Sequence, residues 1–303
     1  SQSEDARELR NLTREWACLS SEGYVCRMKA TWIWGMVMGM LLLGCGPASE
    51  GSDRGEDPPE VKDEGQPARA TELDREVDAR IQRLVASGFP TLDDSNAASF
   101  LTKWGQDQTE QRVVMETKHG AIVVELFDDV PVHRANFLYK VHRRYFDPSE
   151  FTRVVPDFVV QGGNSEEERP QQLRFLIGQH TLPSEFQAHH IHNRGALAMS
   201  RSYHDNPDKR SSGYDFYIVT GRKIGAQELA RVQHDRDWSY TKEQSKAYAY
   251  LGGAPHLDGE HTVFGRVVEG MDVVDRLAAT PRDASDWPVE RLEVTMQWEG
   301  ESP

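Results

Sequence analysis

Apolar and polar residues alternate along much of the middle of the chain, and this two-residue period predicts strands that bury one face. The first pair of such segments occupies residues 113–116 and 121–127, on either side of a Lys-His-Gly turn. Ile122, Val124 and Leu126 fall on one face of the second segment, so we expect that face to point into the core. The pattern therefore predicts a β-hairpin.

A second hairpin is predicted at residues 151–164, where β-forming residues flank a Pro-Asp corner and a Gly-Gly pair ends the second strand. Arg153 and Gln161 stand equally far from Asp157 at the centre of the turn. Pairing across the turn would bring their side chains together beside Phe158. A cation held against apolar surface in this way is a candidate for chemistry.

From these residues alone, two interpretations of Arg153 stay open. The arginine stem can cover the core while the charged end stays in water and Gln161 faces solvent. Alternatively, the guanidinium is the polar group of a binding site.

Helical spacing of apolar residues appears on both sides of the hairpins. It indicates one helix within residues 72–86 and another near residues 98–104, capped by Asp94 or Ser95. We interpret their apolar stripes as packing faces without chemistry. Further predicted elements are a helix from Pro131, a closing helix over residues 267–278 and a last strand over residues 290–298.

Composition narrows the class of protein. The chain has 303 residues, a formal net charge of −14 and a pI near 5.3, and no basic stripe, so nucleic acid is not an expected partner. The three cysteines, Cys18, Cys26 and Cys45, all precede the patterned region. That region therefore contains neither a disulfide framework nor a thiolate metal site.

The N-terminal part of the chain is predicted to direct export. Residues 28–45 begin with Met-Lys, continue with an apolar run and end in a small residue before cysteine, which is typical of a secretory signal. The run from Trp32 to Gly44 has 13 residues, fewer than the roughly 20 that span a bilayer. Residues 46–69 are acidic and rich in Gly, Pro and Ser, and predict a disordered tether.

The sequence Leu-Leu-Gly before Cys45 resembles the bacterial lipobox. The resemblance implies a lipoprotein in which acylated Cys45 is the mature N-terminus and anchors the chain to a membrane. Residues 1–27 would then come from a start site assigned too early or from an extended signal. Because Gly46 rather than aspartate follows the cysteine, we expect the outer membrane, with the domain facing the periplasm.

Residues 151–164 resemble the signature of cyclophilin-type peptidyl-prolyl isomerases, with Thr152 where the family has histidine. Other segments extend the resemblance in the family's order across residues 112–298. They are the Gly-x-Ile-x-x-Glu-Leu-Phe segment from Gly120, Leu182-Pro-Ser-Glu-Phe, Gly195-Ala-Leu-Ala-Met, residues 211–220 and the Leu-Asp-Gly-x-His-x-Val-Phe-Gly segment at 257–265.

This resemblance implies a mainly β fold with helices, a closed eight-stranded antiparallel barrel over residues 107–303 whose ends are capped by helices. A helical extension over residues 70–106 would precede it. Residues 221–251 depart from the family as an insert, with helical stretches at 226–233 and 242–250. A loop of this length is either decoration or takes part in partner choice.

The resemblance also assigns roles to individual residues. Arg153 would be the catalytic cation that holds the prolyl carbonyl, Gln161 would orient it and contact the peptide, and His261 would close the rim. The remaining substrate-binding positions are Phe158, Val159, Tyr217 and Leu257 around the proline, with Ser200, Arg201 and Asp215 in the groove for preceding residues. No cofactor is implied.

Several of these positions differ from the family pattern. His256 stands where many cyclophilins carry a tryptophan important for cyclosporin, so sensitivity to that drug is in doubt. Tyr217 adds a hydroxyl where the family has phenylalanine. Ser200, Arg201 and Asp215 replace Ala, Asn and Gln, so we expect an altered sequence preference.

The leading hypothesis is a monomeric, envelope-anchored isomerase that binds proline-containing polypeptides and assists the folding of exported proteins. A non-catalytic binding module that uses the groove or the insert is the alternative, and a purely structural role would leave the pocket unexplained. His189, His190 and His192 invite a metal interpretation, but no carboxylate or cysteine stands at ligand spacing, so no metal site is predicted.

Overall fold

Antiparallel strands in residues 88–301, the part of the chain that the computed structural model describes, close into one barrel. The barrel order is β1-β10-β3-β4-β8-β6-β9-β2, and β2 pairs with β1 to complete the circle. A separate two-stranded ribbon joins β5 to β7. The strands are β1 (Arg112–Thr117), β2 (Gly120–Leu126), β3 (Ser149–Val155), β4 (Val159–Asn164), β5 (Thr181–Leu182), β6 (Ala196–Met199), β7 (Ser211–Ser212), β8 (Phe216–Val219), β9 (Val263–Glu269) and β10 (Glu293–Trp298). The predicted eight-stranded barrel is confirmed.

Helices cover the barrel and extend the chain on either side of it. They are α1 (Ala97–Gly105), α2 (Pro131–His142), α3 (Glu168–Ile177), α4 (Ala226–Arg236), α5 (Lys242–Tyr250) and α6 (Met271–Ala278), with a 3₁₀ turn at Pro255–Leu257. Pro131 is the first residue of α2, as predicted. The backbone N–H at this position has no acceptor within a helix, so a proline here costs no helical hydrogen bond.

The first hairpin follows from its apolar alternation. Ile122, Val124 and Leu126 of β2 are all buried, as predicted, and Ile122 pairs with Met115 of β1. The barrel interior is filled by apolar side chains from strands and from α2, so it holds a packed core rather than a channel.

The prediction that Asp94 or Ser95 caps α1 was wrong. Oδ1 of Asp93 accepts the backbone N–H groups of Ser95 at 2.8 Å and Asn96 at 3.1 Å, just before the helix. Asp94 instead accepts from the backbone N–H and the hydroxyl of Thr181, at 2.6 and 2.8 Å. The carboxylate of Asp94, which the local pattern assigned to the helix, is therefore used in a tertiary contact.

Two predicted boundaries near the C-terminus were also wrong. The segment from Val267 continues β9 as far as Glu269, and the last helix begins only at Met271. Gly270 separates them with a φ of 84°, and a Cβ there would lie 2.2 Å from the carbonyl oxygen of Ala121. The last strand starts at residue 293 rather than 290.

The insert, residues 221–251, folds as two short helices with a small apolar core of its own. Helix α5 has the predicted bounds, and α4 runs three residues beyond the predicted stretch. Ile191, Ile224, Leu229 and Tyr248 are buried together in this core. The insert begins and ends at one place, because Arg222 pairs with Gly253 in an isolated bridge.

The predictions for residues 1–87, which include the signal, Cys45, the tether and the helix at 72–86, lie outside the described residues. Among residues 88–301, no helix has the length and apolar character required to cross a membrane.

Candidate functional site

The second hairpin sets the position of the candidate catalytic residues. Arg153 of β3 pairs with Gln161 of β4, as the symmetric spacing around the turn predicted. Asp157 occupies the corner with a φ of 59°. Gly163 near the end of β4 has a φ of 104°, and a Cβ there would lie 2.2 Å from the carbonyl oxygen of Tyr214. Glycine is therefore required for this strand to pass so close to the next.

Arg153 is held by an aspartate that no local sequence pattern singles out. Nη2 of Arg153 donates to Oδ2 of Asp286 at 3.2 Å, and the guanidinium carbon lies 5.9 Å from the ring centre of Phe158. Oδ1 of Asp286 accepts from Nε of Arg282 at 3.0 Å. Within the described part of the chain no side-chain hydrogen bond joins Arg153 to Gln161, so the orienting contact comes from Asp286.

The other terminal nitrogen of Arg153, Nη1, is buried and has no hydrogen-bond partner among residues 88–301. A buried N–H without an acceptor costs about 1–3 kcal/mol. This nitrogen is therefore a donor that the described residues leave without an acceptor.

A small apolar pocket, with a volume of about 10 Å³, lies beside this arginine. Val159, Tyr217 and Leu257 are each at most 4% exposed and, with Phe158, belong to an apolar cluster separate from the barrel core. Side chains alternate across a strand, so Tyr217 points away from the interior that Phe216 occupies. The lining residues are all the predicted catalytic and substrate-binding residues except Asp215, namely Arg153, Phe158, Val159, Gln161, Ser200, Arg201, Tyr217, Leu257 and His261.

His261 is a neutral member of the pocket. It is 4% exposed, its Nδ1 donates to the carbonyl oxygen of Met199 at 3.1 Å, and its Nε2 accepts from the hydroxyl of Tyr203 at 2.8 Å. Burial, reinforced by the neighbouring His192, lowers the pKa of His261 to about 3. The ring therefore presents apolar surface rather than a charge.

The hydroxyl of Tyr217, the departure from the family's phenylalanine, has a partner inside the protein. It lies 3.1 Å from Nε2 of His192, whose Nδ1 lies 2.8 Å from Oδ1 of Asp258. Burial raises the pKa of Tyr217 well above its ordinary value, so the hydroxyl keeps its proton. Sequence reasoning considered His192 only for a metal site and Asp258 only as part of the Leu-Asp-Gly segment, and it assigned neither residue to the pocket.

Ser200 and Arg201 border both the pocket and a larger groove of about 1090 Å³. The guanidinium of Arg201 is directed to Glu260, with Nε donating to the carbonyl oxygen of that residue at 2.7 Å. Asp215 lines the groove but not the pocket, and accepts from the hydroxyl of Ser212 at 2.9 Å. Burial raises the pKa of Asp215. The altered groove residues are thus partly engaged with the protein itself.

His256 stacks on the aromatic wall of the pocket, where the family resemblance placed a tryptophan. Its ring lies 5.5 Å from that of Phe158 with an interplanar angle of 27°. Burial, together with the neighbouring side chains of His192 and Arg236, lowers the pKa of His256 to about 4. An imidazole thus takes a place in the rim that a larger indole would occupy.

His189 and His190 lie beside a carboxylate that the spacing of residues in the sequence did not indicate. Nε2 of His189 and Nε2 of His190 lie 2.7 Å from the two carboxylate oxygens of Asp129. These three side chains could hold a metal ion, but hydrogen bonds already account for their arrangement. His192 is turned inward, away from them. The prediction of no metal site stays a prediction.

The family model described as "Cyclophilin type peptidyl-prolyl cis-trans isomerase/CLD" matches residues 112–297 of the chain. A Staphylococcus epidermidis protein named "Putative peptidyl-prolyl cis-trans isomerase" is 32% identical over 190 residues, which cover 62% of this chain and 91% of that protein.

A Streptococcus pyogenes protein named "Putative bifunctional phosphatase/peptidyl-prolyl cis-trans isomerase" is also 32% identical, over 205 residues. That match covers 67% of this chain but only 39% of the longer relative. Among solved structures, a Cryptosporidium parvum cyclophilin-type isomerase determined in the presence of the dipeptide Ala-Pro is 20% identical, with a TM-score of 0.45. It covers 63% of this chain and 100% of its own.

Proposed function

The chain belongs to the cyclophilin-type peptidyl-prolyl cis-trans isomerases, and from that premise we propose that the pocket beside Arg153 isomerises X-Pro bonds of exported polypeptides in the bacterial envelope. The observation that carries the proposal is the Nη1 nitrogen of Arg153, a buried donor without a partner in the described residues, at the edge of an apolar pocket.

The reaction requires no nucleophile. Resonance gives the peptide C–N bond partial double-bond character and a rotation barrier of about 18–20 kcal/mol. The barrier falls when a site favours the twisted amide over the planar one. A site of this kind must hold the proline ring still and provide a hydrogen-bond donor for the carbonyl beside the twisting bond.

The pocket provides both elements. Phe158, Val159, Tyr217 and Leu257 form an apolar surface that suits the hydrocarbon ring of proline. The free N–H of Arg153 can donate to the prolyl carbonyl, and in an apolar setting this charge-assisted hydrogen bond is stronger than in water.

Asp286 prepares the arginine for this role. Its carboxylate holds Nη2 of Arg153 while Nη1 has no partner in the described residues, so less side-chain freedom is lost on binding. Arg282 shares the same carboxylate, which limits how strongly Asp286 neutralises the catalytic guanidinium.

We also propose that the chain acts from a lipid anchor at Cys45, on the outer membrane with the domain facing the periplasm. The lipobox-like sequence before Cys45 and the acidic stretch at residues 46–69 support this placement. Its substrates would be proline-containing segments of exported proteins, bound by a monomer. Radiolabelled fatty acid should enter the wild-type chain and not the Cys45→Ser variant, and equal labelling of the two would rule out this anchor.

The isomerase proposal is tested with the Arg153→Ala variant of the full-length chain. We expect kcat/KM for cis–trans isomerisation of a proline peptide to fall about 100-fold, because the donor to the twisted amide is lost. The control is Arg112→Ala, which removes another strand arginine, 41% exposed and paired with Glu299. Thermal unfolding of both variants shows whether the fold is kept.

Equal rates for wild type and Arg153→Ala would contradict the proposed site. Tight binding of a proline peptide by a wild-type chain that shows no turnover would instead support the alternative, a non-catalytic binding module.

A further inference from the structure

The insert places two tyrosine hydroxyls on a buried carboxylate. Oδ2 of Asp258 accepts from the hydroxyl of Tyr240 at 2.7 Å and from the hydroxyl of Tyr248 at 2.5 Å. Asp258 is 3% exposed and Tyr248 is fully buried. Burial raises the pKa of both tyrosines, so each hydroxyl stays protonated and donates.

The other oxygen of the same carboxylate fixes a histidine. Oδ1 of Asp258 accepts from the backbone N–H of His192 and from its Nδ1, both at 2.8 Å. An ionised carboxylate only accepts hydrogen bonds, so Nδ1 of the imidazole carries a proton and donates it. On the other side of the ring, Nε2 lies 3.1 Å from the hydroxyl of Tyr217.

Tyr217, whose hydroxyl contacts His192, also forms part of the wall of the pocket. It pairs with Gln161 of β4 across the sheet, and its ring meets that of His261 edge-on at 5.6 Å. The hydrogen-bonded series Tyr240/Tyr248–Asp258–His192–Tyr217, which we call the relay, thus connects the insert to the proposed proline pocket.

The insert also braces the turn that carries two other pocket residues, Leu257 and His261. The hydroxyl oxygen of Tyr240, which donates its proton to Asp258, also lies 3.2 Å from the carbonyl oxygen of Pro255. Trp238 packs on Gly259 so closely that a Cβ there would lie 3.0 Å from the indole. The turn is therefore held from the insert at both of its ends.

A separate ion pair reaches the rim of the pocket. Nη1 of Arg236, at the end of α4, lies 2.6 Å from Oε1 of Glu260, and Glu260 also receives Arg201 and Lys209. These cations lower the pKa of Glu260 despite its partial burial, so the carboxylate stays charged. Arg201 is in this way connected to the insert as well.

We propose that Tyr240, Tyr248, Asp258 and His192 are positioning residues of the isomerase site, and that the insert is the brace that sets the shape of its proline pocket. This inference rests on the proposed function of the same pocket. Removing the two insert hydroxyls leaves Oδ2 of Asp258 buried without donors, and a buried carboxylate in that state moves toward other donors or water. His192 and the ring of Tyr217 would move with it.

The relay predicts coupling between substitutions that do not touch each other. We expect Tyr240→Phe and Tyr248→Phe together to raise KM for a proline peptide about threefold to tenfold, with kcat changed less than twofold. The peptide would fit the altered pocket less well in the ground state, while Arg153 would stay in place. In the Tyr217→Phe background the same pair should change KM less than twofold, since no hydroxyl remains for the relay to hold. Tyr250→Phe on α5, a tyrosine 73% exposed, is the matched control.

An equal rise in KM with and without the Tyr217 hydroxyl would overturn the proposal, and so would no rise in either background. Thermal unfolding of every variant identifies loss of fold, and the Tyr→Phe changes keep each ring in place.

A second measurement does not depend on turnover. Long-range ¹H–¹⁵N spectra of the full-length chain should show His192 protonated on Nδ1, with Nε2 shifted when Tyr217→Phe removes its donor. A ring protonated on Nε2 alone would overturn the relay. If the wild-type chain shows no isomerase activity, the proposed function of the pocket fails while these spectra still decide the relay.

Discussion

Phe216 and Tyr217 are neighbours on β8, yet they belong to two regions that are stabilised differently. Phe216 faces the barrel interior, where its ring meets those of Phe137 at 5.5 Å and Phe146 at 5.9 Å. Tyr217 faces the outer wall, where its hydroxyl ends in a hydrogen bond to His192. Both side chains are at most 4% exposed, so burial alone does not distinguish them.

The difference lies in what each region requires of its neighbours. The interior requires apolar volume that fits, and several combinations of side chains satisfy that condition. The outer wall requires a donor for each acceptor, because an unmatched buried polar group costs more than a hydrogen bond gains. Substitutions should therefore act through volume in one region and through pairing in the other.

The largest expected effect on stability is in the interior. Phe216→Ala should lower the free energy of unfolding by about 4 kcal/mol, because it removes a fully buried ring and leaves a cavity. Urea unfolding measures the change. Phe175→Ala, which truncates a phenylalanine that is 80% exposed, should cost less than about 0.5 kcal/mol. Similar losses for the two variants would mean that Phe216 does not pack as described.

On the outer wall, Asp258→Ala should lower the free energy of unfolding by about 3 kcal/mol, although it removes little apolar volume. The substitution leaves His192, Tyr240 and Tyr248 without their common acceptor. Asp272→Ala, whose carboxylate is 74% exposed beside Arg276, is the matched control and should cost much less. A loss for Asp258→Ala no larger than that of Asp272→Ala would show that pairing does not dominate this wall.

Acid should weaken the fold through buried neutral histidines, by a smaller amount for each residue. Burial, assisted by Lys140 beside one of them, lowers the pKa of His180 to about 3, and burial lowers that of His261 to about 3. The unfolded chain binds these protons near its ordinary pKa of about 6.5 and the folded chain does not, so stability falls as pH drops from about 6.5 toward 3.

At pH 5 each of these two histidines should reduce the free energy of unfolding by about 2 kcal/mol relative to pH 7. Urea unfolding at both pH values should show that His180→Gln loses less on acidification than wild type. His204→Gln, with a side chain 75% exposed, should leave the pH dependence unchanged. If His180→Gln and wild type lose the same amount, His180 is not the neutral buried group described.

Local pattern predicted the elements that depend on local spacing. The alternation in β2 and the symmetry of Arg153 and Gln161 around their turn each specify an arrangement within a few residues, and both were confirmed. The end of β9 was missed because the deciding contact, Gly270 against Ala121, joins residues far apart in sequence.

The hydrogen-bond partners of the site residues could not be predicted from the sequence for the same reason. Asp286 is 133 residues from Arg153, and nothing near either residue indicates the contact between them. Tyr217 offered a partial signal, since a hydroxyl on a pocket wall implies a hydrogen-bond partner, but its identity as His192 depends on how the strands pack. Contacts between residues that are distant in sequence can be identified only from the three-dimensional structure.

The bridge between Arg222 and Gly253 means that the insert leaves the barrel and returns to it at a single point. A Cβ at Gly221 would lie 2.4 Å from the Cα of Gly253, so the two ends nearly touch. Chain segments joined this way can be lengthened, shortened or exchanged with little consequence for the surrounding sheet. The length of this segment can therefore change while the barrel stays the same, and the pocket that the segment braces is the part of the molecule that such a change would alter.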